Sequence, residues 1–364
     1  MSNIAEYKDI IAFHPGYYIA EIIEDMGISQ AEFAIRVGTT AKSISTLVNG
    51  QSNLSDEMAR KLSAMLGTNV DVWLNLQKEY DKKLIEIQES KALDAQKEVM
   101  HQIDYNFFTE YAHLPVTRNI VEKILNLCRY LKISDLRILT QPDFLVNYRT
   151  GVSTVQPKNI INSRVWLQTA INMSRDILTK PYDANVLKSF LPELRSMTVQ
   201  EPAEFIQRMQ EIFSKCGIAF VLLPHLKNSG INGAVKWVNN ERVVLAMNTR
   251  GAYADRFWFT LFHEIKHVLQ HKTTTTFVSG TLDEFAGINA ALETEADLFS
   301  SEYLIPALKL KEWSPGKNIS ETEIIAFAKS INIHPGIVVG RLQHEKIISE
   351  SRYNDLKEQY TIVP

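Results

Sequence analysis

His263 and His267 stand four residues apart in a stretch, Phe257 to Leu269, whose other positions are mostly apolar. In a helix, one turn brings both imidazoles to the same face, within reach of a single metal ion. Glu264 then points toward the open coordination position, where a carboxylate can take the proton of a water acidified by the metal. His263-Glu264-Ile265-Lys266-His267 has the HExxH spacing of zinc metallopeptidases. Core histidines satisfied by hydrogen bonds are the plainer alternative. A buried apolar helix carrying these three side chains leaves costly polar groups, however, unless they are paired or bind metal. The expected cofactor is Zn2+, with His263 and His267 as ligands and Glu264 as catalytic base.

A third protein ligand is required, with the fourth position left open. His271 does not have the spacing of a further histidine ligand and suits the negative end of the helix instead. The next helical stretch, about Leu292 to Leu304, offers Glu293 and Glu295. Glu295 is the favoured ligand because it shares a face with Leu292, Leu298 and Phe299, which would turn inward. Glu293 is the rival, otherwise a solvated first-turn glutamate. Asp297 could orient a ligand imidazole from behind or stand in solvent.

These residues need elements to position them. Ile218 to Leu223 reads as a buried strand, and Gly230 and Gly233 flank a turn. Ala234 to Val238 and Arg242 to Met247 read as a hairpin around Asn239-Asn240. The helix carrying the histidines, about Asp255 to Gln270, is apolar almost all round and must be buried. Thr273 to Thr276 reads as loop. From Lys91 to Ser214 the pattern is helical, broken by prolines, with Trp166, Phe190 and Leu191 as core and no evident chemistry.

Upstream, short amphipathic helices alternate with Gly and Asn stops. One runs from Gly16 to Met26. Ser29 caps a second, with Glu32 completing a capping box, and it stops at Gly38. Thr40 starts a third, ending at Asn49-Gly50. Ser55 caps a fourth, ending at Gly67, and Val70 to Ile87 forms a longer one. This order suits an all-helical helix-turn-helix bundle. The expected fold is therefore multidomain and mainly α: a helix-turn-helix domain over 1–88, a helical connecting domain over 89–200, and an α+β metal domain over 201–364.

The 364 residues are 45% hydrophobic and 22% charged with net charge −3, as in a soluble globular chain with no overall lean toward nucleic acid or anionic membranes. Cys128 and Cys216 form no CxxC pair, so a disulfide framework is not expected. Met1 to Ile10 shows no basic segment followed by an apolar one, and no apolar run is long enough to cross a bilayer. A cytoplasmic location is expected.

Phe259-Thr260-Leu261-Phe262-His263-Glu264-Ile265-Lys266-His267-Val268-Leu269-Gln270-His271 resembles the FTLAHELGHLLLH block of the ImmA/IrrE metallopeptidases. Glu295-Ala296-Asp297-Leu298-Phe299 and Tyr303-Leu304-Ile305-Pro306 resemble that family's second block. The resemblance extends from about Glu201 to the segment Ile333 to Leu342. It implies that the first Glu of the second block, here Glu295, is the third ligand. It also implies a gluzincin-like fold whose mixed sheet receives the substrate as an added strand, with Ala234 to Val238 as the expected edge. Lys266 and Phe262 depart from the family's Gly and Ala, so packing around the helix must differ. Tyr303 and His334 are candidates for steadying the oxyanion, each with a structural role as the alternative.

Phe13-His14-Pro15-Gly16 and Gly27-Ile28-Ser29-Gln30-Ala31-Glu32-Phe33-Ala34 resemble the opening of HigA-type antitoxins of the XRE helix-turn-helix class. Leu47-Val48-Asn49-Gly50 and Trp73-Leu74-Asn75-Leu76-Gln77 continue the match. That class sets its third helix in the major groove, which puts Thr39, Thr40, Lys42, Ser43 and Thr46 toward DNA, with Gln30 at the start of the second helix. Residues 1–89 carry eight basic against thirteen acidic side chains, net −5, a thin footprint for phosphate contacts. A homodimer, the expected assembly, would double any local basic patch.

The resemblances together imply an antitoxin-like transcriptional regulator that binds operator DNA. Its endopeptidase domain would cleave a repressor, an antitoxin or the chain itself, in a toxin–antitoxin, stress or phage-response locus. The competing expectation is a non-catalytic repressor whose metal domain serves partner binding or sensing. A purely structural zinc site is weaker, because the position opposite Glu264 is left open.

Overall fold

The computed structural model describes residues 3–141, 157–248, 253–270, 276–280, 290–313 and 319–360. They divide into two compact units, 1–98 and 99–364.

The first unit begins with an antiparallel hairpin, β1 (Ile4–Tyr7) and β2 (Ile10–Phe13), so it is not all-helical as expected. The turn carries no Gly or Asn. Lys8 takes the left-handed conformation there, with φ 54°, and the Lys8 ammonium and Tyr7 hydroxyl both bind Asp94. Five helices follow: α1 (Pro15–Asp25), α2 (Gln30–Val37), α3 (Ala41–Val48), α4 (Asp56–Leu66) and α5 (Val70–Met100). Ser29, Thr40 and Ser55 cap α2, α3 and α4, each hydroxyl accepting from the backbone N–H three residues on, at 3.1–3.2 Å. Glu32 does not return the bond expected of a capping box but pairs with Arg36. Gly38 ends α2 with φ 74°, a conformation that costs other residues energy and that sets the turn into α3. Ile19, Phe33, Ile44, Leu47, Leu62 and Trp73 fill the core between these helices.

The second unit takes in both the stretch expected as a connecting domain and the metal domain. Helices α6 (Tyr105–Tyr111), α7 (Ile120–Leu131), α8 (Pro157–Ser174), α9 (Ala184–Ser196) and α10 (Pro202–Lys215) lead into the sheet. Leu187, Leu191 and Leu194 of α9 join the same core as the sheet and the histidine helix, so no separate core closes at residue 200. Trp166 of α8 is fully buried and donates to the Pro224 carbonyl, 2.9 Å away.

The sheet is formed by β3 (Ile218–Leu223), β4 (Ile231–Asn239), β5 (Arg242–Asn248) and β6 (Thr276–Gly280), in the order β3-β5-β4-β6. β3 pairs with β5 in parallel, and β5 with β4 and β4 with β6 antiparallel. The expected edge strand is thus an inner one: Ala234 pairs with Ala246 on one side and Val278 on the other. The partner on the outer side begins at Thr276, the last residue of the polar run expected as loop; Thr273 to Thr275 and His271 lie outside the described residues. Every residue of β3 is buried, and the buried majority of β5 completes the centre.

Over the sheet lies α11 (Ala254–Leu269), followed by α12 (Ala290–Leu304), α13 (Ala307–Trp313), α14 (Glu321–Ser330) and α15 (Pro335–His344). Phe257, Trp258, Leu261, Phe262, Ile265 and Val268 of α11 are all in the core, as an all-round apolar helix requires. Pro306 follows the end of α12. The segment after α15 returns to the start of α11: the Ala254 N–H donates to the Glu358 carbonyl, and Trp258 Nε1 donates to the Tyr360 hydroxyl, 3.0 Å away.

Candidate metal centre

His263 and His267 both face α12 from α11, and both are buried. Their Nε2 atoms lie 2.9 Å apart. Each Nδ1 is spent on a fixed acceptor: His263 on Asp297 Oδ1 at 2.8 Å, and His267 on Gln270 Oε1 at 2.9 Å. Those bonds set the ring orientations and leave the two Nε2 atoms for a shared cation. The Glu293 carboxylate closes the group, 3.2 Å from His263 Nε2 and 3.4 Å from His267 Nε2. One ligand atom from each of the three residues lies within 4.8 Å of the others. Two imidazoles and a carboxylate are the donor set of a catalytic divalent-metal site with an open position.

The carboxylate that reaches the histidines is therefore Glu293, not the expected Glu295. Glu295 turns away, with Oε1 2.7 Å from Lys266 Nζ and Oε2 3.0 Å from Gln270 Nε2. The phase of α12 explains the exchange. Its buried line is Ala296, Ser300 and Leu304, and Glu293 lies on it at the i−3 position from Ala296. Small residues mark where α11 and α12 approach closely, and Ser300 donates to the Phe259 carbonyl at 2.7 Å. Leu298, expected to turn inward, is 60% exposed. Both departures from the family block are accounted for here. The Lys266 ammonium holds Glu295 and lies over the Phe299 ring, and Phe262 stacks on Tyr303 with ring centres 5.2 Å apart.

Electrostatics couple the group tightly. Burial opposes charging His263, but hydrogen bonds to Asp297 and Glu293 and the charge of Glu264 outweigh it, pushing the imidazole up to about 10. Burial would raise Glu293, yet its bonds to the two histidines hold it down to about 2. A cluster with this much negative potential favours a cation, whether proton or metal.

Glu264 is fully buried and abuts β4. A Cβ on Gly233 would lie 2.7 Å from Glu264 Oε1, so only glycine lets the strand pass the carboxylate at this distance. Gly233 was expected to flank a turn; it lies within β4, opposite Met247. The apolar Ala234 and Val235 that follow it, in a segment that reads as a strand, are the available signal. Gln270, too, escaped sequence reasoning: it ends α11 and bridges His267 to the Leu292 carbonyl of α12.

Both oxyanion candidates make contacts elsewhere in the fold. Tyr303 packs between Phe262 and Phe299, and its carbonyl accepts from Arg195. His334 caps α15, its Nδ1 accepting from the Gly336 N–H at 3.0 Å, and its Nε2 pairs with Glu358. The same His-Pro-Gly cap opens α1, where His14 Nδ1 accepts from the Gly16 N–H at 2.9 Å.

In the first unit, Gln30 and Lys42 are exposed, and Thr39 and Ser43 are half-buried at the start of α3. Thr40 is occupied as the α3 cap. Thr46 donates to the Ser43 carbonyl and accepts from Ser52, so its hydroxyl is committed within the fold.

Residues 19–73 match the family model described as helix-turn-helix, and residues 225–342 match the model described as the IrrE N-terminal-like domain, a peptidase family. The chain thus carries an XRE-type helix-turn-helix domain and, further along, an IrrE-like domain. An uncharacterized HTH-type transcriptional regulator, YddM of Escherichia coli K12, is 38% identical over 63 residues, 17% of this chain and 67% of that protein. Virulence-associated protein A' of Dichelobacter nodosus is 36% identical over 69 residues, 19% of this chain and 60% of that protein. Among solved structures, a putative antidote protein of a plasmid maintenance system from Nostoc punctiforme is 34% identical. It aligns with 24% of this chain and 94% of its own, with a TM-score of 0.22. PA4674 of Pseudomonas aeruginosa, solved with its operator DNA, is 26% identical over 26% of this chain and 95% of its own, also with a TM-score of 0.22.

Proposed function

We propose that this chain is a DNA-binding, antitoxin-like regulator whose IrrE-like domain is a zinc-dependent endopeptidase acting on a repressor, an antitoxin or the chain itself. The observation that carries this reading is the convergence of His263, His267 and Glu293 beside the buried Glu264. Zinc would be held by the two Nε2 atoms and the Glu293 carboxylate, and when bound it supplies the Lewis acidity that polarises a peptide carbonyl and makes water acidic near neutral pH. Glu264 accepts a proton from the water that attacks the carbonyl carbon and delivers it to the amine as the C–N bond breaks. Asp297 and Gln270 hold the imidazoles in register, and Glu264 is buried against Gly233 of β4.

The first unit would dock α3 in the major groove as a homodimer, with Gln30, Thr39, Lys42 and Ser43 as the contacts left free by the fold. Thr40 and Thr46 would act by shaping that helix.

Cleavage of a randomised peptide library by the zinc-loaded chain, with loss in Glu264→Gln and equal zinc in both proteins, tests the peptidase. General-base removal should cost about 10²- to 10⁴-fold. Equal cleavage by the variant would end the proposal. The engagement of both His334 nitrogens by Gly336 and Glu358 favours a second reading, a repressor whose metal domain binds a partner without turnover. On that reading operator binding would respond to zinc, and neither protein would cut.

A further inference from the structure

We infer that a cavity beside the metal centre is a specificity pocket that takes a bulky, uncharged side chain of the substrate next to the bond being cut; the inference rests on the peptidase reading above. The cavity has a volume of about 520 Å³ and opens among α11, α12, α15 and the ends of β4 and β5.

Its place relative to Glu264 is set by helical phase. Thr260 and Arg256 line it, and they lie four and eight residues before Glu264 on one face of α11. At 1.5 Å per residue, Thr260 is about 6 Å along the axis from the catalytic carboxylate. Asn232, on the strand side, precedes the glycine that touches Glu264. Asp297 lines the cavity and also holds His263. An extended peptide advances about 3.4 Å per residue, so a side chain one or two positions from the scissile carbonyl reaches the opening.

Its chemistry favours an apolar occupant. Met247, Phe257, Phe259, Leu304, Ile305 and Ile337 supply the wall. Each charge built into it has an ion-pair partner: Asp255 has Lys357 at 2.6 Å, Arg341 has Glu345 at 2.5 Å, and Asp297 has His263, while Asp255 Oδ1 and Arg341 Nη1 are buried without a hydrogen bond. Arg256 and His344 are exposed, where solvent and salt screen them. A charged side chain entering would lose hydration without a dedicated counter-ion, whereas a leucine, methionine or aromatic side chain gains the full benefit of burial. The volume exceeds that of any one such side chain, so size does not exclude the largest.

The test is the cleavage-site profile of the full-length, zinc-loaded chain on a synthetic peptide library randomised on both sides of a fixed core. The expected result is one position where Leu, Met, Phe or Tyr is preferred over Ala, Asp or Lys by about tenfold or more. Ser301→Phe, which fills the cavity from α12, should shift that preference toward small residues, and Ser301→Ala should leave it unchanged. Thr260→Leu fills the same space from α11 and decides the matter if Ser301→Phe loses its zinc. Glu264-dependent cleavage with no side-chain preference, or with a preference that neither filling variant alters, overturns the pocket and leaves the peptidase standing. No cleavage above that of Glu264→Gln removes the peptidase and the pocket together.

Discussion

The Lys266 ammonium lies 2.7 Å from Glu295 Oε1, and this ion pair holds the carboxylate of Glu295 away from the two histidines that Glu293 reaches. Half of the Glu295 side chain is exposed, so the pair contributes little stability by itself. Lys266→Ala and Glu295→Ala should therefore keep about one zinc per chain, with affinity changed less than about threefold. Competition with a chromogenic chelator measures it. Loss of zinc in Glu295→Ala alone would return Glu295 to the ligand set.

Gln270 and Asp297 act on the metal through the imidazoles they hold. Partners of this kind are worth about 10- to 100-fold in metal affinity. Gln270→Ala should fall in that range, and Gln270→Glu, which still accepts from His267 Nδ1, should recover most of the loss. A merely structural role would appear as a lower melting temperature with unchanged chelator competition.

Metal uptake should release a proton. With His263 raised to about 10 and Glu293 held near 2, the metal-free site at pH 7 carries a protonated imidazole and an ionised carboxylate. The proton must leave before Nε2 can bind metal. Apparent affinity should rise with pH, about tenfold per unit from neutral pH toward 10, and flatten above it. Titration calorimetry in two buffers of different ionisation enthalpy should find about one proton released per zinc at pH 7, and less in Asp297→Asn. No release would contradict the coupling.

Gly233 lies against the base. Gly233→Ala puts a Cβ 2.7 Å from Glu264 Oε1 and must displace it. Since about 1 Å of misplacement can cost 10²-fold, cleavage should fall by about that factor while zinc content stays unchanged. Loss of both together would mean that the strand and the metal ligands share one rigid arrangement.

What could be read from the sequence follows how local each determinant is. The histidine pair and Glu264 lie within one turn of one helix, so spacing alone places them together. The third ligand depends on which face of α12 meets α11, and that is decided by Ala296 and Ser300, small residues that a search for large apolar positions passes over. The helix caps at Ser29, Thr40 and Ser55 are equally local and appear as expected. The β1–β2 hairpin lacks the usual turn residues and relies on Asp94, nearly ninety positions away, to hold Tyr7 and Lys8. The inner position of β4 likewise depends on β6, whose short sequence Thr276-Phe277-Val278-Ser279-Gly280 does not say which strand it joins.

The most direct measurement is elemental analysis of the purified chain beside His267→Ala, Glu293→Ala and Glu295→Ala. The geometry predicts about one zinc per chain in the unaltered protein and in Glu295→Ala, and none retained through dialysis in His267→Ala or Glu293→Ala. A wild-type chain that takes up no zinc, or a Glu293→Ala chain that keeps it fully, would contradict the metal centre described above.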